Sequence, residues 1–230
     1  MKKYLYFLLP ISLLVVFTVF TILVKTVDVQ YIATGNFYLG FYTMNHTVNS
    51  WLSYDKLDTM KKLSDAILYI SFVFPLAFAI TGVYQWITRK SLKKVDPRIY
   101  TLLGVYVVVV VVYFVFELAK INYSPIMKPD GSLKASYPST HVFVTDVLFI
   151  TGVVTAMSFI NIKKAYLEVL VYVLLAILGI VVGFVRLLSG QHWLSDILAS
   201  YILTGLIISV YVYFYKKFHP VDEKEEVKAE

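Results

Sequence analysis

The segment at residues 137–141 (YPSTH) has residue types suited to anion binding and proton transfer, and it stands directly before an apolar run. Pro-Ser-Thr before such a run is typical of a helix N-terminus, with Ser139 or Thr140 as the cap. Unpaired backbone N–H groups at a helix N-terminus attract phosphate-like anions. His141 is placed to protonate a leaving oxygen. Taken alone, however, the segment is better explained as a capped helix with an interfacial histidine.

A second polar segment, residues 186–196 (RLLSGQHWLSD), follows a different apolar run. His192 and Asp196 are four residues apart and are predicted to share one face of a helix that begins near His192. A carboxylate beside an imidazole fixes its tautomer and stabilises the cation formed when the other nitrogen attacks. Arg186 has the planar fork that binds two phosphate oxygens together. The competing interpretation is a structural His–Asp pair with a snorkelling arginine.

A third polar segment, residues 117–136, contains three lysines and two prolines between apolar runs. Lys120, Lys128 and Lys134 are each most simply explained as members of a solvated basic loop. Asp146 follows His141 by five residues, which places it about 140° around a helix from that histidine. It is therefore predicted to lie away from the site and to pair with a tyrosine or hydroxyl inside the bundle.

The composition requires that these polar segments be positioned by membrane helices. The 230 residues are 59% hydrophobic and 16% charged, with a mean hydropathy of +0.72, whereas soluble domains are about a quarter charged. The absence of cysteine excludes disulfides, thiolate zinc sites and iron–sulfur clusters. The net charge of +6 is spread between apolar stretches, so membrane orientation explains it better than a nucleic-acid partner does.

Apolar runs predict an all-α protein, a bundle of six transmembrane helices forming one domain over residues 1–217. Each run is close to the ~20 residues that cross a bilayer core. The predicted spans are residues 4–24, 66–88, 99–119, 141–162, 166–188 and 197–215. The intervening segment 26–65 is rich in aromatic residues, which favours an interfacial helix or lid. Residues 218–230 are predicted to form a charged cytoplasmic tail.

Lysine and arginine concentrate at the N-terminus, after the second and fourth spans, and after the sixth. Alternating spans place these four regions on one side, which the positive-inside rule makes cytoplasmic. Both termini are then cytoplasmic. The polar segments at 137–141 and 186–196 are predicted to meet on the extracytoplasmic face of a multi-pass cell-membrane protein.

The combination of Pro-Ser-x-His at 138–141 with Arg-x5-His-x3-Asp at 186–196, each beside a span, resembles the type 2 phosphatidic acid phosphatase superfamily. Members of that superfamily are integral-membrane lipid phosphatases with a six-helix core. They include bacterial undecaprenyl-diphosphatase-like enzymes. The resemblance extends from about the third span to the sixth.

The resemblance implies a role for each matching residue. His192 would attack phosphorus and become a phosphohistidine, and Asp196 would orient and polarise it. His141 would protonate the leaving oxygen and then help to activate water. The phosphate oxygens would be bound by Arg186, Ser139 and the backbone N–H near Thr140. Neither a metal nor a cofactor is implied, since fixed donors and positive groups stabilise the equatorial oxygens.

The sequence departs from the family pattern at two places. Thr140 stands where Pro-Ser-Gly-His has glycine. The family's first motif, Lys-x6-Arg-Pro, aligns with Glu117 and Ser124 in place of its two cations. An alternative alignment uses Lys120 with Lys128-Pro129, which is one residue longer and has lysine for arginine. The sequence leaves both alignments open.

Together these features predict hydrolysis of a lipid phosphate or lipid pyrophosphate at the outer leaflet, reached laterally from the bilayer. Isoprenoid carrier pyrophosphate, phosphatidate and phosphatidylglycerophosphate are all compatible, and the sequence does not choose among them. It does not define an oligomeric state either. Two alternatives are a non-catalytic or impaired family member that binds phospholipid, which the altered first motif favours, and a small lipid transporter.

Overall fold

The computed structural model describes residues 2–33, 35–52, 57–127, 130–160 and 164–218, with side chains from residue 6 onward. Within that part, eight α-helices, one two-stranded sheet and a short 3-10 helix are present. In chain order they are α1 (Lys2–Thr26), β1 (Gln30–Ile32), β2 (Phe37–Leu39), α2 (Tyr42–Ser50), α3 (Leu57–Ser71), α4 (Val73–Arg89), the 3-10 turn Leu92–Lys94, α5 (Pro97–Ala119), α6 (Thr140–Ile160), α7 (Ala165–Leu188) and α8 (Leu194–Phe218).

Six segments of the described chain are long and apolar enough to cross a membrane, so the predicted helical six-span architecture is confirmed. The second of these segments, Leu57–Arg89, combines α3 and α4. It begins nine residues before the predicted span at residue 66. The first turns of α3 carry Asp58, Lys61 and Lys62. These charged residues lower the local hydropathy, so the prediction from apolar runs did not include the beginning of the helix. Residues 219–230, most of the predicted tail, lie outside the described residues.

The second span is interrupted at Phe72, between the end of α3 at Ser71 and the start of α4 at Val73. Pro75 explains the interruption. Its ring removes the N–H that would bond the carbonyl four residues earlier and clashes with that carbonyl, which belongs to Ser71. In this last turn of α3, the hydroxyl of Ser71 donates a hydrogen bond to the Leu68 carbonyl at 2.6 Å. Helix α3 is therefore a separate helical unit.

Helix α5 starts where the sequence contains both signals of a helix N-terminus. The Asp96 side chain accepts a hydrogen bond from the Arg98 backbone N–H at 2.9 Å, and Pro97 occupies the first helical position. The helix ends at Ala119, and Lys120 follows in the left-handed conformation with a φ of 46°. The Asp96 cap and Pro97 define the start of α5, and the left-handed Lys120 defines its end. The end of α5 is the point from which the α5–α6 connection leaves the bundle.

The core lies along α6 and α8, which are the most buried of the six spans. Helix α1 packs along α8, and α6 contacts α7 and α8. Apolar side chains such as Phe143, Val147 and Leu203 fill this interior. A pair of buried hydroxyls also links α6 to α8, through the 2.8 Å contact between Thr155 Oγ1 and Tyr211 Oη. This packing consequently fixes the position of the start of α6 relative to the start of α8.

The aromatic-rich outer segment contains an antiparallel hairpin, β1–β2, followed by α2. Asn45 of α2 is buried and bonds the start of α8 twice. Its Oδ1 accepts from the Ser195 N–H at 3.0 Å, and its Nδ2 donates to Ser195 Oγ at 2.9 Å. The Trp193 indole donates to the Tyr123 carbonyl at 2.7 Å. This segment thus packs on the chain that carries His192.

Candidate active site

A polar cavity of about 520 Å³ lies where α3, the α5–α6 connection, the start of α6 and the end of α7 converge. Its walls bring together residues that are far apart in the sequence. They include Lys61, Asp65, Lys134, His141, Arg186 and Gln191. The two predicted motifs therefore contribute to one cavity, through His141 and Arg186.

His192 lies two residues before α8, in the connection that follows α7, and not on the helix as the sequence predicted. Gly190, with a φ of 66°, allows the chain to turn between Arg186 and His192. His192 is 6% exposed and does not itself line the polar cavity. Burial lowers its pKa below the ordinary 6.5, and the positive charge of Arg186 lowers it further. The charge of Arg186 therefore favours the neutral form of the His192 imidazole.

The tautomer of His192 is set by a backbone carbonyl. Its Nδ1 lies 2.8 Å from the Ser136 carbonyl oxygen. Because a carbonyl only accepts, Nδ1 must carry the proton in this contact, and Nε2 of the neutral ring keeps its lone pair. An unprotonated Nε2 is the form of imidazole that attacks phosphorus.

Asp196 contributes differently from the sequence-based prediction. Its Oδ2 is 3.8 Å from His192 Nδ1, which is longer than a hydrogen bond. That same oxygen accepts from the Trp193 backbone N–H at 3.0 Å, as the third helical residue does in a capping box. Its charge nevertheless acts on His192 in the direction that raises the pKa. Asp196 therefore caps α8 and supports a positive charge on His192 without fixing its tautomer.

Asn122 links the connection between α5 and α6 to both of these residues. Its carbonyl accepts from the Ser136 N–H at 2.9 Å, which holds the Ser136 carbonyl in place for His192. Its Nδ2 donates to Asp196 Oδ1 at 3.2 Å. Asn122 is buried. No sequence pattern selects it, apart from its place in the first-motif alignment.

The start of α6 is joined to α8 by one backbone hydrogen bond and one hydrogen bond from a side chain. The Ser139 N–H donates to the Asp196 carbonyl at 3.2 Å, and Ser200 Oγ donates to the Ser139 carbonyl at 3.0 Å. Ser139 is fully buried, and its Oγ has no partner among the described residues. The first turn of α6, with Thr140 and His141, leaves N–H groups without intrahelical partners. Unpaired donors at a helix N-terminus are suited to binding an anion.

Arg186, in the last turn of α7, is 4% exposed. Its Nη1 is 3.5 Å from Asp65 Oδ1. Its Nε has no partner in the part of the chain that the structure describes. Leaving a buried donor unpaired is costly, so the guanidinium retains capacity to bind a further anionic group.

The structure bears on the two alignments of the first motif. Ser124, which stands at the arginine position of one alignment, lines the polar cavity. Lys120 is exposed just after α5 and does not line that cavity. Lys128 lies outside the described residues. Two other lysines, Lys134 and Lys61, line the cavity, although the sequence interpretation assigned Lys134 to solvent and did not consider Lys61.

Asp65 is another residue of this site that the sequence interpretation missed. Its Oδ1 lies 3.0 Å from His141 Nε2 and 3.5 Å from Arg186 Nη1. The available signal was a stripe of polar residues at four-residue spacing, Lys61, Asp65 and Tyr69, all of which line the cavity. That spacing places them on one face of α3.

An apolar groove of about 470 Å³ adjoins the polar cavity and shares His141 and Lys134 with it. Side chains of α5 and α6 form most of the groove. Val110 and Phe114, which are mostly exposed on the outside of the bundle, are among them. The groove therefore connects the polar cavity with the lipid-facing surface.

Two further features bear on the chemistry. Asp146 is buried next to Gly179 of α7 and does not line the polar cavity. Within the described ranges, no group of three or more histidine, cysteine, aspartate or glutamate side chains is arranged to hold a metal ion. The side chains that line the site carry imidazole, guanidinium, ammonium, hydroxyl and carboxylate groups.

Comparison with known proteins connects this geometry to a family. The model of the PAP2 superfamily matches residues 99–220, more than half of the chain. A solved structure, the first transmembrane PAP2 type phosphatidylglycerolphosphate phosphatase from Bacillus subtilis, has a TM-score of 0.65 and 17% sequence identity, covering 93% of this chain and 99% of that chain. At 17% identity, this structural similarity shows that the two proteins share a fold. No curated protein sequence matches the chain. The chain belongs to the PAP2 superfamily and has its transmembrane fold.

Proposed function

We propose that the protein hydrolyses the phosphomonoester or pyrophosphate of a membrane lipid through a phosphohistidine at His192. The observation that carries this proposal is the contact between His192 Nδ1 and the Ser136 carbonyl, which leaves Nε2 unprotonated. Membership of a superfamily of membrane phosphatases supports the same reaction class.

In the first step, the Nε2 lone pair attacks phosphorus, a P–N bond forms and the bond to the leaving oxygen breaks. The protonated form of His141 gives its Nε2 proton to that oxygen and becomes neutral. In the second step, the neutral His141 removes a proton from water, the resulting oxygen attacks phosphorus and the P–N bond breaks. Inorganic phosphate is released, and both histidines return to their starting protonation states.

The unpaired donors of the site match the needs of the transferred phosphoryl group. Arg186 Nε and Ser139 Oγ are buried without partners among the described residues. Together with the N–H groups at the start of α6 they would bind the equatorial oxygens, whose negative charge spreads in the transition state.

Lys61 and Lys134 supply the positive charge that the altered first motif lacks. Both line the polar cavity, whereas Lys120 does not. A lysine binds phosphate as a point charge and not as a fork, so these lysines fit a role in attracting and holding the substrate. The site thus compensates for Glu117 and Ser124 with residues from α3 and from the end of the α5–α6 connection.

The lipid chain would lie in the apolar groove. The groove and the polar cavity share His141 and Lys134, so a lipid with its chain in the groove carries its phosphate to the catalytic groups. This favours lateral entry from the bilayer. The charge distribution favours the extracytoplasmic face, and isoprenoid pyrophosphate, phosphatidate and phosphatidylglycerophosphate remain the candidate substrates.

Phosphate release from a panel of these lipids, by purified protein in a metal chelator, tests the proposal. Wild type should release phosphate and His192→Ala should not. His46→Ala is the matched control, because His46 is exposed and outside the polar cavity. Lys61→Ala and Lys134→Ala should each raise KM about tenfold, and Lys120→Ala should not. Release that persists in His192→Ala refutes the mechanism.

The second candidate function is phospholipid binding without hydrolysis. Glu117 and Ser124, which replace two cations of the family motif, favour it. Binding of lipid phosphates with no release of phosphate from any of them would support this candidate over the phosphatase.

A further inference from the structure

We propose that Asp65 is a resident anion, whose carboxylate occupies part of the phosphate position in the substrate-free protein and must be displaced when phosphate binds. The inference rests on the proposed function, since it concerns the same cavity. It adds to that site a residue on α3, which begins 42 residues before the segment that matches the family.

The contacts of Asp65 are those that a phosphate oxygen needs. One oxygen, Oδ1, lies 3.0 Å from His141 Nε2 and 3.5 Å from Arg186 Nη1. In the proposed mechanism, His141 Nε2 must reach the leaving oxygen and Arg186 must bind an equatorial oxygen. The carboxylate and the substrate therefore compete for the same two donors.

The placement of Asp65 permits displacement. Its side chain is 30% exposed, whereas that of Arg186 is 4% exposed, so the carboxylate can turn toward water while the guanidinium stays in place. Lys61, one helical turn earlier on the same face of α3, lines the cavity as well. It offers the displaced carboxylate a nearby cation.

Competition of this kind affects both binding and turnover. Before substrate binds, Asp65 offsets the positive charge of Arg186 and keeps His141 turned toward the cavity. After hydrolysis, return of the carboxylate helps inorganic phosphate to leave. Removing the negative charge should therefore strengthen binding of phosphate and slow its release.

Binding of inorganic phosphate tests the inference without depending on turnover. Titration calorimetry and phosphate-dependent thermal stabilisation would be measured on wild type, Asp65→Asn and Asp58→Asn. The last is the control, because Asp58 is on the same helix and pairs with Lys62 in solvent at 2.6 Å. We expect Asp65→Asn to bind phosphate about tenfold more tightly, and Asp58→Asn to match wild type. Asp65→Ser should show the same gain as Asp65→Asn.

Three results would overturn the inference. Equal or weaker phosphate binding by Asp65→Asn and Asp65→Ser overturns it alone. A fall in kcat of Asp65→Asn with unchanged KM and unchanged phosphate affinity makes Asp65 a positioning residue for His141 instead. Absence of phosphate binding in all of the proteins overturns it together with the proposed function.

Discussion

At the residue scale, the proposed mechanism depends on which nitrogen of His192 carries its proton. The Ser136 carbonyl keeps that proton at Nδ1, and Asn122 holds the carbonyl in place. Asp196 is 3.8 Å away and caps α8. Its effect on His192 is therefore one of charge, in contrast to a carboxylate that selects a tautomer by hydrogen bonding.

This distinction makes a prediction about pH. The pKa of His192 lies below 6.5 because the ring is buried, and Asp196 acts to raise it. The attacking neutral ring is therefore already the major form at pH 6.5, and the acid limb of kcat/KM should fall below that pH. In Asp196→Asn the limb should move to still lower pH, while kcat falls roughly tenfold to hundredfold because the developing positive charge loses support. A limb that moves to higher pH would contradict this account.

Motif spacing selected Arg186 and His141, which line the cavity, and also Ser139 and His192, which do not. It could not identify Asp65, Asn122 or Ser136. The contact of Asp65 with His141 depends on how α3 packs against α6 and α7, which no local pattern encodes. Ser136 acts through its carbonyl, so the type of its side chain carries no signal.

At the element scale, the outer segment fixes the start of α8. Asn45 of α2 bonds the backbone and the hydroxyl of Ser195, three residues after His192. Hydropathy identified the six apolar runs because an apolar stretch of about 20 residues is the length that a membrane span requires. It missed the beginning of α3, where Lys61 lines the cavity and where Asp58 and Lys62 are exposed and pair with each other.

Asn45→Ala should therefore destabilise the protein and reduce its activity. Loss of these buried bonds is expected to cost about 1–2 kcal/mol, and kcat should fall because the His192 connection loosens. Thermal unfolding in detergent and lipid phosphate hydrolysis would measure both effects. Thr47→Ala, at an exposed position of the same helix, is the control. Wild-type stability in Asn45→Ala would show that α2 is not needed to fix α8.

At the scale of the whole molecule, the polar cavity adjoins the apolar groove, as the proposed binding of an amphiphilic substrate requires. The sequence predicted a bundle with a polar site. It could not predict the groove, because most of its walls are apolar side chains of α5 and α6, and apolar side chains are expected all along a membrane span whether or not they line a groove.

Filling the groove should reduce the hydrolysis of long-chain lipid phosphates more than that of short-chain, soluble phosphates. Val110→Trp places a large side chain in the groove at a position that is 53% exposed, so the fold should tolerate it. We expect hydrolysis of a long-chain lipid phosphate to fall about tenfold, with little change for a short-chain phosphate. Val108→Trp, on another face of α5, is the control. Equal loss for both substrates would contradict binding of the chain in the groove.

The orientation of the bundle is tested by labelling, which is simple because the chain has no cysteine. An impermeant thiol reagent applied to intact cells should modify Ser132→Cys, in the α5–α6 connection, and not Ser91→Cys, after α4. The reverse pattern would place the site on the cytoplasmic side.

The most direct test of the central claim is to trap the phosphorylated enzyme. After rapid mixing with a lipid labelled in its terminal phosphate and quenching in alkali, which preserves phosphohistidine, wild type should carry label on His192. His192→Ala should carry none, and His141→Ala should still accept label from a substrate with a good leaving group but release it slowly. Label on another residue, or hydrolysis by wild type with no labelled protein at any time, would contradict the account.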